Sequence, residues 1–281
     1  MILECVDFFA GIGAWELAIS LVNPISQVKF RTIEFVEINP QAQKVLRSHF
    51  PEIPIHSDVR SYIPAKNVAD LWLISFPCTG TSAAGSKLGL LHEESGLWFE
   101  ALRCIIVGRP NFIIVEQPVG VINRGLRAIL GGLRMAGYQT EIEIISASEC
   151  GAPHERKRLF VIAHANDLQL RQRKSFSCWT DQVGKHIAIA KSFVSYPETQ
   201  PRSVCVDDGF PAYLDGISVD SWWKFNQPPA ESGVSLRTPN RRECVSLYGK
   251  SIVPQCAAIA LMRVQFLASL INKSTIRDRN K

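Results

Sequence analysis

The sequence predicts an α/β protein, a doubly wound and mostly parallel sheet with a small inserted recognition region. Three observations carry this. Short apolar runs alternate with segments of helical periodicity through residues 1–165, the pattern of successive strand–helix–strand units. The first run breaks at Gly11-Ile12-Gly13, directly before a helical segment, as a turn that lets backbone amides approach a ligand does. The runs end in polar side chains, Asp7, Glu37, Cys78 and Glu116, at the strand ends where open α/β sheets bind ligands.

Residues 2–7 read as the first strand, ending in Asp7-Phe8-Phe9-Ala10-Gly11-Ile12-Gly13, and 14–22 as the first helix. Residues 30–36 form the second strand, closed by Glu37. A helix at 40–49 follows, then a short segment reaching His56-Ser57-Asp58-Val59. The apolar run 69–76 reads as a buried parallel strand that delivers Cys78, in Ser75-Phe76-Pro77-Cys78-Thr79-Gly80-Thr81-Ser82. Helical spacing over 95–107 leads to a strand at 111–116, ending in Glu116-Gln117-Pro118. A helix at 124–136 and alternating runs at 139–146 and 158–163 follow.

The texture then changes. Residues 166–235 mix Ser, Pro, Asp and Trp with little periodicity, and their seven Lys/Arg against eight Asp/Glu leave a net charge of −1. The basic part is 166–191, with Arg171, Arg173, Lys174, Lys185 and Lys191. The expected organisation is a main domain of 1–165 plus 236–281, and a target-recognition region of 166–235. Helical spacing returns over 254–272, which is expected to pack back on the main domain. The end, with Arg277, Arg279 and Lys281, reads as a basic tail.

A chain of 281 residues with 46% hydrophobic and 20% charged residues can bury a sizeable core. A net charge of +5 is compatible with a polyanionic partner without demonstrating one. Eight cysteines without CxxC spacing argue against a disulfide framework or zinc site, and for reduced thiols in the cytoplasm. The first residues lack a basic n-region and no apolar run is long enough to span a bilayer, so neither a secretory signal nor a membrane span is expected.

A free cysteine taken alone reads as readily as a small buried apolar side chain. Cys78 gains meaning from Pro77 before it, Gly80 after it, and Glu116 on a second strand ending at the same rim. A lone GxG is equally weak until other signals join it. Glu37 ends the second strand, where an acidic side chain can take both ribose hydroxyls. Asp58 ends the next segment, suited to accept from an adenine amino group. The missing third glycine and phosphate-loop lysine argue against a dinucleotide or nucleoside triphosphate. The set fits a nucleoside without phosphates, such as S-adenosylmethionine.

The order of these motifs, followed by Cys150-Gly151-Ala152-Pro153-His154-Glu155-Arg156-Lys157-Arg158 and a late Gly249-Lys250-Ser251-Ile252-Val253-Pro254, resembles the DNA (cytosine-5) methyltransferases over residues 1–165 and 240–265. The resemblance implies double-stranded DNA as partner, a base flipped from the duplex, and a monomer that needs no metal; the six histidines show no ligand spacing. It implies that Cys78 adds to cytosine C6, that Glu116 holds N3 and the exocyclic amine, and that Arg158 and Arg156 support the base carbonyl and the cysteine loop. The loop from Gly80 to Gly89 has small residues suited to closure. For the donor, the resemblance implies Phe9, Ala10, Gly11, Ile12, Gly13, Glu37, Ile38, Asp58, Val59, Phe76, Pro77, Leu97, Lys250, Ser251 and Ile252.

Four positions depart from the family pattern. Thr79 stands for Gln, Gln117-Pro118 for Asn-Val, His154 for Gln, and Lys250 for an Asn beside the donor. A cation near a sulfonium weakens binding of a positive donor. Lys250 therefore points to solvent or an acidic neighbour, or else pairs with a carboxylate on the transferred carbon. The latter makes the donor carboxy-S-adenosylmethionine and the product 5-carboxymethylcytosine. An RNA cytosine-5 methyltransferase and a non-catalytic nucleic-acid-binding relative stand as further alternatives. Trp222-Trp223-Lys224-Phe225 reads either as a stacking surface for bases or as a small core of the insertion.

Overall fold

The computed structural model describes residues 1–81, 88–152, 154–168, 178–193, 247 and 251–271. Among these, the chain runs β1 (Ile2–Phe8), α1 (Ala14–Val22), β2 (Lys29–Val36), α2 (Pro40–His49), β3 (Ile55–His56), β4 (Leu71–Ile74) and α3 (Leu97–Gly108). It continues through β5 (Phe112–Pro118), α4 (Val121–Arg124), α5 (Leu126–Met135), β6 (Tyr138–Ser146), β7 (Lys157–Ala165), α6 (Trp179–Ser192) and α7 (Pro254–Ser269).

The seven strands form one sheet in the order β3-β2-β1-β4-β5-β7-β6. The pairings from β3 to β5 are parallel, and β7 runs antiparallel to both β5 and β6. The predicted doubly wound, mostly parallel sheet is therefore present. Chain order reverses between β1 and β4, which opens a crevice at their C-terminal ends. The Gly11-Ile12-Gly13 turn leaves one side of that crevice and the Cys78 turn leaves the other.

The inner strands β1, β4, β5 and β7 bury both faces, because side chains alternate across the sheet and helices cover both sides. Leu3, Cys5, Leu71, Leu73, Phe112, Ile114, Phe160 and Ile162 pack toward α1 and α7. Val6, Phe8, Trp72, Ile74, Ile113, Val115, Val161 and Ala163 pack toward α3 and α5. Glu116 follows Ile114 in the alternation and lies on the α7 side; Gln117 follows Val115 on the other. Helix α2 starts where Asn39 Oδ1 accepts from the backbone of Gln41 and Ala42, with Pro40 in its first turn.

Two elements differ from the sequence-based expectation. The helix expected over 124–136 is broken at Gly125, whose absent Cβ would lie 2.9 Å from Leu90 Cγ. The missing side chain at Gly125 leaves room for Leu90 between α4 and α5. The second difference is α6, inside the stretch expected to lack periodicity. Its Trp179 and Ala190 are buried in the main core. Fully buried Arg263 of α7 binds Glu141 of β6 through two hydrogen bonds, of 2.8 and 2.5 Å, and reaches Gln182 of α6 at 2.7 Å. Residues 178–193 are therefore fastened to the main body.

Candidate functional site

Cys78 lies four residues beyond the end of β4, and Glu116 lies one residue beyond the Val115 that pairs with Ile74. Parallel pairing thus brings both to one rim. Antiparallel β7 adds the third group: Glu116 is paired with Phe160 and Pro118 with Arg158, so Arg158 sits one step along the same face. Arg158 Nε is 2.7 Å from Glu116 Oε1, an ion pair with both side chains largely out of solvent. Arg156 Nη2 donates to the Ser251 carbonyl at 2.6 Å, tying this strand end to the segment that leads into α7.

The charges act on one another. Burial pushes the Cys78 thiol above its ordinary value and the Glu116 carboxylate adds to this, while Arg158 and then Arg156 pull it back. Burial likewise raises Glu116, against the lowering pull of Arg158 and Arg156. Burial and the two arginines thus act on this carboxyl in opposite directions. His154 is driven down to about 4 by burial and by the same two arginines, so its imidazole is neutral near pH 7.

Buried hydrogen bonds hold the turn that carries Cys78. Gln117 Nε2 donates to the Phe76 carbonyl at 2.6 Å, and Gln117 Oε1 accepts from Thr81 Oγ1 at 3.0 Å. Ser95 Oγ accepts from Gly80 N and donates to the Pro77 carbonyl, each at 2.9 Å. Gly80 is required here, since a Cβ would lie 2.1 Å from the Gly89 carbonyl. The Thr79 hydroxyl donates to Glu94.

The other side of the crevice is the glycine turn between β1 and α1. Phe9, Gly11 and Gly13 all have positive φ, and Phe9 N donates to the Val36 carbonyl at 2.7 Å. A Cβ on Gly11 would meet only Phe9 O, at 4.0 Å, so its backbone opens on free space. Glu37 Oε2 accepts from Gly11 N and Glu37 Oε1 from Asn39 N, both at 2.7 Å. Glu37 thus sets the loop's shape as well as its charge. Ile38 is 55% exposed at this rim, an apolar surface suited to a base. Asp58 accepts from Arg60 N at 2.9 Å and pairs with the Arg60 side chain at 3.5 Å.

The residues expected at the donor site divide by environment. Ala10, Ile12, Val59, Phe76 and Ile252 are buried, with the Phe76 ring 5.7 Å from that of Trp98. Pro77 contributes its carbonyl to Ser95, and Leu97 packs against the core on the α3 side. Lys250 lies outside the described residues, as do Trp222, Trp223, Lys224, Phe225 and 82–87 of the loop after Cys78. Sequence reasoning missed Ser95 and the hydrogen-bonding role of Gln117. Only the polar Glu94-Ser95 pair ahead of an apolar helix hinted at the first.

Beneath the glycine turn, Asp7 is fully buried and its carboxyl oxygens have no hydrogen-bond partner among the described residues. Burial holds its pKa well above the carboxylate range, with Glu16 and Glu37 adding to the shift. Glu16, in the first turn of α1, is raised by burial from 4.5 to about 7, although the Thr32 hydroxyl donates to it. Between those values the folded protein holds a proton that the unfolded chain has lost. Stability therefore falls as pH rises through that window, by about 3 kcal/mol for Glu16 alone. Glu16→Gln is expected to flatten that fall and leave the variant more stable than the parent at pH 8. Urea unfolding at several pH values reads this out, and an unchanged slope would assign the titration elsewhere.

A model of the C-5 cytosine-specific DNA methylase family matches residues 3–207. The type II methyltransferase M.CviJI of Paramecium bursaria Chlorella virus IL3A is 32% identical over 172 residues, which are 60% of this chain and 45% of that protein. M.MspI of Moraxella sp is 23% identical over 291 aligned residues, covering 96% of this chain and 67% of that protein. The matched stretch thus spans less than half the length of the first relative. The crystal structure of S. pombe Dnmt2 methyltransferase superposes with a TM-score of 0.58 at 15% identity, covering 95% of this chain and 98% of that one, a likeness of fold. With a family match that takes in Gly11, Glu37, Cys78, Glu116 and Arg158 on the strands that position them, the chain belongs to the C-5 cytosine-specific DNA methylases.

Proposed function

We propose that the protein is a DNA cytosine-5 methyltransferase acting on duplex DNA with S-adenosylmethionine as donor. The observation that carries this is the convergence of the Cys78 thiol with the Glu116–Arg158 ion pair at one rim of the crevice. Cytosine C5 is a poor nucleophile. Addition of the Cys78 thiolate to C6 makes C5 enamine-like, as Glu116 shares a proton at N3 and accepts from the exocyclic amine. Arg158 steadies Glu116 and offsets the charge of the thiolate. C5 then bonds to the donor's methyl carbon as that carbon's bond to the sulfonium sulfur breaks and the neutral thioether leaves; loss of the C5 proton to a solvent base and elimination of Cys78 complete the turnover. The donor supplies an electrophilic methyl carbon on a sulfonium. Gly11, Glu37, Ile38 and Asp58 form the side of the crevice suited to its nucleoside: open backbone, acidic side chains and an apolar ledge. Residues 166–235 are proposed as the target-recognition region, joined to the main body through α6.

The test is nucleoside mass spectrometry of duplex DNA, and of RNA in a matched arm, incubated with the protein and either S-adenosylmethionine or its carboxylated analogue. The expected product is 5-methylcytosine, from the ordinary donor. Preferential 5-carboxymethylcytosine would overturn the donor assignment. Modified cytosine only in RNA would overturn the substrate.

A further inference from the structure

We propose that Ser95 is a positioning residue for Cys78, its one hydroxyl holding the nucleophile's turn from both sides. The proposal rests on Cys78 being the nucleophile of the methyl transfer.

The turn must present a thiol at the sheet rim while its own peptide groups are withdrawn from water. Its internal closure is one-sided: Thr81 N donates to the Cys78 carbonyl at 2.9 Å, while the Thr81 hydroxyl is spent on Gln117 Oε1 at 3.0 Å. The Pro77 carbonyl before Cys78 and the Gly80 N–H beyond it are served by Ser95. Its Oγ donates to the first and accepts from the second, each at 2.9 Å. A hydroxyl has one proton to give and lone pairs to receive, so a single side chain can do both. Ser95 is 0% exposed, and water has no ready access to replace it.

The anchor itself is rigid. Trp98 N donates to the Ser95 carbonyl at 3.3 Å, and α3 beyond it buries Trp98, Ala101, Cys104 and Ile105. The position of Cys78 along the rim is thus referred to the α3 core, as Gln117 refers it to β5. Ser95 makes no hydrogen bond to the sulfur among the described residues. It acts through the backbone, and its effect should appear in the chemical step rather than in binding.

The expected result for Ser95→Ala is a fall in kcat of about 10- to 100-fold, the scale of a small misplacement of a reacting group. KM for DNA and Kd for S-adenosylmethionine should be unchanged. Ser95→Thr, which keeps the hydroxyl, is expected to recover most of the rate. Ser95→Cys keeps a weak donor without the added methyl and should fall between alanine and the parent. A second readout does not depend on methyl transfer: the pH profile of Cys78 alkylation by iodoacetamide, followed by peptide mass spectrometry well below the melting temperature. Ser95→Ala should displace its midpoint, because the thiol moves relative to Glu116 and Arg158. If the parent modified no base, the function would fail while alkylation still reported on the turn. A parental kcat together with a parental alkylation profile in folded Ser95→Ala would overturn the positioning role. So would a rate loss matched only by loss of folded protein.

Discussion

Cys78→Ser is expected to abolish methyl transfer to duplex DNA, by more than about a thousandfold, while donor binding stays at the parental level. A serine hydroxyl does not form an appreciable anion near neutral pH, and its oxygen is a poorer nucleophile toward a ring carbon than sulfur. The loop at Gly11 and Glu37, proposed to hold the donor, leaves β1 and β2 and is held by its own bonds to Val36 and Asn39, none of which involves Cys78. Single-turnover transfer of a labelled methyl group measures the first quantity, and calorimetric titration with S-adenosylmethionine the second. Residual transfer within tenfold of the parent would remove Cys78 from the nucleophile's role. The same assay on the parent should show rates rising with pH on the alkaline side, because burial and Glu116 hold the thiol above its ordinary value.

The second large effect is expected at the ion pair. Glu116→Gln keeps the shape of the side chain but cannot share a proton with N3, and kcat should fall by about 100- to 1,000-fold. Arg158→Ala is expected to cost a similar factor for a different reason. Arg158 is the largest lowering influence on both the Cys78 thiol and the Glu116 carboxyl. Its removal therefore moves both upward, and the alkaline limb of log kcat/KM shifts to higher pH. In Glu116→Gln the thiol loses a raising influence, so the limb moves the other way. Opposite shifts in the two variants are the signature of one coupled cluster. The double variant should lose less than the product of the two single losses. Parallel shifts, or fully multiplicative losses, would mean that the two residues act independently.

Most of the strands and helices up to 165 could be read from periodicity, because each alternates or repeats on its own scale. Helices α1 and α2 occupy the residues that spacing predicts, 14–22 and 40–49. Glu37, Cys78 and Glu116 could be read as strand-end residues for the same reason: in a parallel α/β sheet all such ends lie at one rim. Helix α6 could not be read this way. Its periodicity is weak, and its place comes from long-range partners, Trp179 in the core and Gln182 on Arg263. The closeness of Leu90 to Gly125 could not be read either, because the two lie 35 positions apart in the chain.

By itself the sequence determined the fold class, the strand-end positions of the reactive groups and the glycine turn, since these follow from local periodicity, chain order and backbone freedom. The tertiary structure decided the pairings. Antiparallel β7 sets Arg158 against Glu116, Glu37 grips Gly11 and Asn39, and Ser95 and Gln117 hold the turn of Cys78. Each joins residues distant in the chain or depends on which backbone atoms a fold withdraws from water. Spacing along a chain records neither, because strand register and buried hydrogen bonds are settled only when the elements pack together.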